Sequence, residues 1–344
     1  MTSKESILLF EYFTANGINN QSIVLEAVSM IKSLADDLKK ENITLLLSKN
    51  YEKYFKELKI NIEFITSPLE NWLSKNSKKF KKAIFIADET DEHLYKITKI
   101  LEDNNVKLYC SNSNSVKISS NKFTTYNLLK NIVKQPKTYK IKINEDSLEK
   151  TESIFKNLNS KLIIKPINGV DCEKIKIINK KEDINKIRDY ELGTEIIIQE
   201  FIEGESCSVS LISDGNTAIP LSLNKQNIIL NNDKNLYNGG MLPYNHKLKE
   251  EAFKISKKAI ENIKGIKGFI GVDLILNDEV TFIEINSRFT TPYIGLKEII
   301  NINIGDTILK LLDNKIQIND LNNYEINGEI EFIKENNDIK LIKH

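Results

Sequence analysis

The sequence predicts a protein of mixed α/β and α+β class, with a parallel-sheet domain first, a small mixed domain in the middle and a further strand-containing domain last. Three observations carry that reading. Apolar strand-like runs alternate with helical periodicity up to about residue 115. From there to about residue 202 the texture changes to short β-branched pieces around helical segments. Finally, VTFIEINSRFTTP, residues 280 to 292, sets Glu284, Asn286 and Arg288 two apart in what otherwise reads as a buried strand. The expected boundaries are 1–115, 116–202, 203–315 and a peripheral segment 316–344. With 344 residues, 40% of them apolar, the chain has material for more than one hydrophobic core.

The N-terminal alternation begins with ILLFEYF at 7–13, read as a strand. QSIVLEAVSMIKSLADDLKK follows with apolar residues at helical spacing, then ITLLLS as a short strand. KAIFIAD at 82–88 is another strand, DEHLYKITKILEDN a helix with Asp as its cap, and VKLYCS a further strand. Alternation of this kind gives a parallel sheet covered by helices.

NSNSVKISSNKFTTYNLLKN reads as a linker entering a helix. Beyond it KTYKI, LIIKPI, CEKIKIIN and TEIIIQEFI are strand-like, with helical segments near 146–158 and 182–190. The last domain offers CSVSLISD and IPLSLNKQNIIL as strands, a polar stretch NNDKNLYNGGMLPYN, and the helix HKLKEEAFKISKKAIENI. Two strands follow, GFIGVDLIL and VTFIEINS, joined through NDE, a turn composition. As a hairpin, that pair brings Asp273 near Glu284 and Asn286. From about residue 316 short apolar pieces alternate with Asn, Asp and Lys, as in a peripheral hairpin or a frayed tail.

Composition narrows the function. A formal net charge of +1 argues against a general polyanion binder, and the lysine-rich KNSKKFKK at 75–82 reads as a solvated loop or helix face, so no nucleic-acid partner is expected. Cys110, Cys172 and Cys207 are widely spaced and odd in number, which suits a reducing cytosol better than a disulfide framework. The opening MTSKESILLFEYF has too short an apolar run for a signal peptide, and no run approaches the roughly 20 residues of a membrane span. The expectation is a cytoplasmic protein with no membrane partner.

Residues two apart in a strand share a face, so Glu284, Asn286 and Arg288 point one way with Phe282, while Ile283, Ile285 and Ser287 point the other. Asp273, Glu284 and the Asn286 amide oxygen supply the oxygen ligands a hard divalent cation takes, and Arg288 a charge for an adjacent oxyanion. A solvated sheet end with a Glu284–Arg288 ion pair is the plainer alternative. Lys165, in LIIKPINGVD, leaves an apolar run and can hold nucleotide phosphates as a point charge, with Gly169 letting the backbone turn over them. It is otherwise a snorkelling lysine beside a Pro/Gly turn; the loop is not GxxxxGK[ST]. TEIIIQEFIEGES turns at Glu203–Gly204 and is either one wall of an adenine slot or a core strand with a turn.

In this order the features resemble the ATP-grasp family over roughly residues 1 to 315. The resemblance implies an ATP-grasp fold: a preceding parallel-sheet domain, a small central lid domain and a C-terminal metal-binding domain. It further implies that Lys122, in SSNKFTTYNLL, and Lys165 are the nucleotide lysines, that Gly169 belongs to the phosphate loop, and that Gln199, Glu200, Phe201 and Ile202 form the adenine hinge through backbone atoms. Asp273, Glu284 and Asn286 match the metal ligands, and Arg288 the arginine that faces the phosphates or the acyl phosphate. Two departures stand out. The phosphate loop, INGVDCEK, keeps only Gly169, which implies a stiffer closure or a part for Asp171 and Cys172. Where the family holds the ribose with an acidic residue this chain has Ser206, so the ribose ligand is Ser206 or a displaced Glu203 or Glu205.

Within the family, LLFEYFTANG, ADETDEHLYKITKI, QEFIEGESCSVSLI, PLSLNKQ, KGFIGVDLIL and VTFIEINSRFTTPYIGL are similar to archaeal ligases of methanofuran biosynthesis. That similarity implies ATP as co-substrate and Mg2+, or Mn2+ in its place, as metal. The expected reaction joins the γ-carboxylate of L-glutamate to the amine tyramine through an acyl phosphate, with Arg288 and Lys165 catalytic and Arg288, Thr290, Thr291 and Asn224 at the substrates. Capping near Pro292 is the alternative for Thr290 and Thr291. A ligase for another amino acid, amine or peptide pair, or an inactive ATP-binding sensor, stays open. A homodimer is the default assembly. His93 and His246 read as surface or capping residues, Cys207 as core-facing or beside nucleotide, and no Cys/His or Ser/His/Asp arrangement emerges.

Overall fold

The computed structural model describes residues 6–18, 21–169, 175–230, 235–335 and 338–344; Asp171 and Cys172 of the expected phosphate loop lie outside them. The first part runs β1 (Ile7–Glu11), α1 (Tyr12–Asn16), α2 (Gln21–Asp37), β2 (Ile43–Leu47), β3 (Asn61–Phe64), α3 (Leu69–Asn76), β4 (Lys82–Ile86), α4 (His93–Asp103) and β5 (Lys107–Leu108). The strands pair in parallel in the order β3-β2-β1-β4-β5. A parallel sheet is covered on both faces, which is why β1 and β2 are buried throughout. Alternate residues go to opposite sides: Ile7, Leu9, Leu45 and Ile84 pack with the α2 residues Val28 and Ile31, whereas Leu8, Phe10, Leu46 and Phe85 pack with Trp72 and Ile97 of α3 and α4. The expected first strand is two residues shorter than ILLFEYF. Glu11 ends it, because its carboxylate accepts from the N–H groups of Phe13 (3.0 Å) and Thr14 (2.8 Å) and starts α1.

The expected linker is helical: α5 (Ser113–Ser120) and α6 (Lys122–Leu129) follow one another, capped by Asn112 and Asn121. Next come β6 (Thr138–Lys142), α7 (Ser147–Leu158), β7 (Leu162–Pro166), β8 (Lys176–Ile178), a 3-10 segment Lys181–Asp189, and β9 (Glu195–Glu200). These strands form an antiparallel sheet, β6-β9-β7-β8, with its own core around Ile164, Ile196 and Ile198.

The third sheet is built from β10 (Glu205–Asp214), β11 (Ala218–Leu230), β12 (Asn235–Leu242), α8 (Lys249–Glu261) on one side, β13 (Lys267–Leu276), β14 (Val280–Asn286), α9 (Pro292–Leu296), α10 (Ile304–Leu312), β15 (Ile330–Glu335) and β16 (Asp338–Lys343). Its order is β14-β13-β10-β11-β12-β15-β16. The polar stretch thus holds a strand, β12, and its glycines are there for close approach: a Cβ at Gly239 would lie 1.9 Å from the Phe332 carbonyl oxygen and one at Gly240 2.0 Å from that of Lys225. The C-terminal segment is a hairpin paired into this sheet, with Ile330 and Phe332 buried in the cluster that also holds Ile31, Leu34, Tyr293 and Ile308. That cluster packs the first sheet against the third and leaves a cleft between them. Among the described residues no helix is long and apolar enough to cross a membrane.

Candidate active site

A cavity of about 1400 Å³ opens where the three sheets meet. Pockets for one drug-sized ligand run to roughly 1,000 Å³, so this one has room for more than one small molecule. Lys122, Lys165, Gly169, Gln199, Glu200, Phe201, Ile202, Ser206, Asp273, Glu284, Asn286, Arg288, Thr290 and Thr291 all line it.

A polar row crosses the third sheet beneath it, with Asn224 on β11 opposite Ser208 on β10, Ser208 opposite Asp273 on β13, and Asp273 opposite Glu284 on β14. A bulge breaks the register there: Asp273 faces Glu284 but Leu274 faces Phe282. Ile283 and Glu284 therefore both line the cavity, while Phe282 is turned into the core with Ile285. Strict alternation had placed Phe282 on the side of Glu284; the extra residue in β14 reverses it.

The charges are cross-braced. Asp273 accepts from Gln226 Nε2 (3.0 Å) and Asn286 Nδ2 (2.9 Å). Burial, reinforced by the charge of Glu284, pushes its carboxyl up to about 7. Burial acts on Glu284 too, but Lys122 at 3.5 Å and Lys165 at 3.7 Å prevail and hold it below the ordinary range. Lys165 is 6% exposed, so it does not snorkel to water, and burial lowers its pKa. Lys122 also donates to the Gly169 carbonyl at 2.7 Å, and Gly169 has φ of 109°, a conformation that requires glycine. The Glu284–Arg288 pair of the plainer alternative is not what Arg288 makes. Arg288 Nε instead donates to Glu89 Oε2 at 2.9 Å, and one Nη donates to the Phe289 carbonyl.

Asp273 and Glu284 line the cavity with carboxylate oxygens, and Asn286, whose Nδ2 is taken by Asp273, keeps its amide oxygen. This donor set fits a hard divalent cation. Among the described residues no group of three or more His, Cys, Asp and Glu side chains forms a complete cage. A cation there needs further oxygens from water or phosphate, as Mg2+ ordinarily does.

At the hinge, Gln199 is buried with its amide donating to Thr138 Oγ1 (2.8 Å), and the Phe201 N–H is taken by the Lys161 carbonyl. Among the described residues no backbone acceptor pairs the Ile202 N–H, which leaves it available to a ligand edge. A side chain at Gly204 would meet the Leu276 carbonyl at 2.5 Å, so the turn there needs glycine. Ser206 and Glu203 line the cavity. Glu205 is turned to Lys225 (3.1 Å) and the Tyr244 hydroxyl (2.6 Å).

Two further expectations need adjustment. Thr291 makes no capping bond to α9; its hydroxyl donates to Glu26, which is also paired with Lys334. Asn224 does not line the cavity, because it is wholly buried with its amide donating to Ser208 and Ser210 (3.2 and 3.1 Å). Gln226, two residues on, reaches the cavity in its place.

The opposite wall, from the carboxyl ends of β1 and β4, carries Phe13 and Asp88, which the sequence reading passed over, and His93, which it read as a surface or capping residue, with Glu26 from α2 and Tyr237 from β12 also lining the cavity. His93 is neither a surface nor a mere capping residue. It is hydrogen-bonded to Asp88 (2.9 Å) and stacked on Tyr12, ring centres 4.0 Å apart. Asp91 (φ 48°) and Glu92 (φ 63°) ahead of it are both left-handed, a strain of about 1 kcal/mol or more each that clusters at functional sites. Ligands of parallel α/β sheets gather at the carboxyl ends of the strands, and this signal, applied to the residues after KAIFIAD, would have found them.

Comparison with known proteins agrees with this geometry. An ATP-grasp domain model matches residues 119–292. The tyramine-L-glutamate ligase of Methanocaldococcus fervens is 37% identical over 298 residues, 85% of this chain and 89% of that protein. Its namesake from Methanocaldococcus jannaschii is 33% identical over 317 residues, 90% of each. Among solved structures, an ATP-grasp superfamily protein from Archaeoglobus fulgidus superposes with a TM-score of 0.72 over 99% of both chains at 24% identity. A domain match over half the chain and relatives above 30% identity along most of its length place it: the chain belongs to the ATP-grasp family and is closely related to the archaeal tyramine-L-glutamate ligases.

Proposed function

We propose that this ATP-grasp carboxylate-amine ligase joins L-glutamate, through its γ-carboxylate, to tyramine, consuming ATP and releasing ADP and phosphate. The observation that carries the reading is a single cavity with the Lys122, Lys165, Asp273, Glu284, Asn286 and Arg288 set on one side and a chamber with acidic and aromatic side chains on the other. Adenine sits against the hinge, with the Ile202 N–H reading its edge and Ser206 or Glu203 at the ribose. Lys122 and Lys165 offset phosphate charge, and the second sheet, which carries Lys165, acts as the lid that excludes water. Asp273, Glu284 and Asn286 would hold Mg2+, or Mn2+, which when bound would neutralise phosphate charge. The glutamate γ-carboxylate attacks the terminal phosphorus, and Arg288 stabilises the acyl phosphate that forms. The amine then displaces phosphate.

Phosphate and ADP release from magnesium-ATP is to be measured with glutamate and tyramine, singly and together, with mass spectrometry of the product. Release that requires both, with a product of glutamate plus tyramine minus water, is expected. No release with both present would sink this substrate pair, and an amine and carboxylate screen in the same assay would then find another.

A further inference from the structure

We propose that His93, held by Asp88, is the catalytic base that takes the proton from the attacking amine, so that the wall formed by β1, β4 and the start of α4 is the amine subsite. The inference rests on the ligase reading above and adds the step that reading leaves without a residue. A primary alkyl amine has a pKa of roughly 10, like a lysine side chain, and must give up protons to end as an amide nitrogen. The residues on the phosphate side are already engaged: Lys122 and Lys165 face Glu284, Arg288 pairs with Glu89, and the two oxygens of Asp273 accept from Gln226 and Asn286.

His93 has what the task requires. Its Nδ1 is 2.9 Å from Asp88 Oδ1, and since a carboxylate only accepts, Nδ1 is the donor, which in the neutral ring leaves the lone pair on Nε2. Nε2 has no protein partner among the described residues, and the ring lines the cavity. Stacking on Tyr12 fixes the ring plane, and the left-handed pair Asp91 and Glu92 turns the chain so that α4 begins at His93. Asp88 adjoins Glu89, the partner of Arg288, so the wall that carries the dyad meets the phosphate side at Arg288. Of the other carboxylates on this wall, Glu26 is occupied by Lys334 and Thr291, and Asp91 and Glu92 are exposed to solvent.

In the step itself the amine arrives as an ammonium ion and gives one proton to His93 Nε2, which releases it to solvent; the neutral nitrogen then uses its lone pair to form the C–N bond at the acyl carbon. The C–O bond to phosphorus's oxygen breaks, its electron pair leaving on phosphate. The proton displaced from nitrogen goes to His93 Nε2 and from there to solvent. Asp88 acts through His93 and is a positioning residue.

The test compares two nucleophiles on the full-length protein with L-glutamate and magnesium-ATP: tyramine, and hydroxylamine, which is largely unprotonated at neutral pH and attacks acyl phosphates without a base. His93→Gln is expected to lose about 10²- to 10³-fold in amide formation with tyramine while hydroxamate formation stays within about twofold of wild type. Imidazole added to His93→Gly is expected to restore part of the tyramine rate. Rates are read on variants whose melting temperature matches wild type, with His93→Asn in reserve should His93→Gln fold poorly. Equal loss with both nucleophiles, or no loss with tyramine, overturns the assignment. Absence of hydroxamate from the wild-type enzyme overturns the substrate reading itself, and the base assignment with it.

Discussion

Arg288 and Glu89, 199 residues apart in sequence, meet in a buried ion pair at 2.9 Å that ties the end of β4 to the residue just beyond β14. The second carboxylate oxygen of Glu89 is buried without a hydrogen-bond partner, and burial raises the pKa of the group despite the arginine. Removing one member should therefore cost more than removing both. Arg288→Met is expected to destabilise by about 3–5 kcal/mol and to abolish ligation. Arg288→Met with Glu89→Gln should recover most of the melting temperature and none of the activity. Equal melting temperatures for single and double variants would show that the pair does not bind the two sheets together.

Lys165 points the other way, toward function at little structural gain, since burial disfavours its charge. Lys165→Met should lower turnover by about 10²- to 10³-fold and change stability by about 1 kcal/mol or less. ADP release and thermal melting, measured on the same preparation, check both halves. A large drop in melting temperature with activity preserved would make the lysine structural.

The buried carboxyls give a pH signature. Burial raises both Asp273 and Glu11 to about 7, above the ordinary value near 4, with the charge of Glu284 adding to it at Asp273 and hydrogen bonds from Phe13 and Thr14 opposing it at Glu11. Between those values the native state binds more protons than the unfolded one, so this contribution is complete below about pH 4 and is lost as pH rises through 7. In the absence of divalent cations the melting temperature should fall from pH 5 to pH 8, and Asp273→Asn should flatten the slope. A melting temperature that climbs over this range would contradict the environment described for these groups.

If Asp273, Glu284 and Asn286 hold the cation, chelation should stop ADP release and excess Mg2+ should restore it. Glu284→Gln is then expected to raise the Mg2+ concentration needed for half-maximal turnover about tenfold or more, as losing a charged ligand weakens a hard-cation site. An unchanged Mg2+ requirement would move the site elsewhere.

Phe332 tests the C-terminal hairpin. It is 2% exposed, and its backbone pairs with Gly240. Phe332→Ala should cost about 3–5 kcal/mol, readable by denaturant unfolding. A cost below about 1 kcal/mol would return the hairpin to the periphery.

Local pattern was enough for much of this protein. Runs such as ILLFE and ITLLL announce a parallel sheet because both faces are covered, and the spacing of Glu284, Asn286 and Arg288 announces a site because polar residues seldom interrupt such a strand. Lys122, Lys165, Asp273 and the hinge lie along one cavity as the family resemblance implies. Other features depend on contacts the chain makes far from itself. The bulge that turns Phe282 inward exists only in the pairing of β13 with β14. β12 is a strand because Gly239 and Gly240 let its neighbours approach, although its composition reads as loop. Arg288 chooses Glu89 over Glu284, and His93 faces Asp88 and the cavity rather than solvent, because β4 ends beside the third sheet. Periodicity is a property of neighbours in sequence and can be read from one chain; which charges meet, and which side chain a packed junction leaves facing its cavity, is decided by surfaces that come together only on folding.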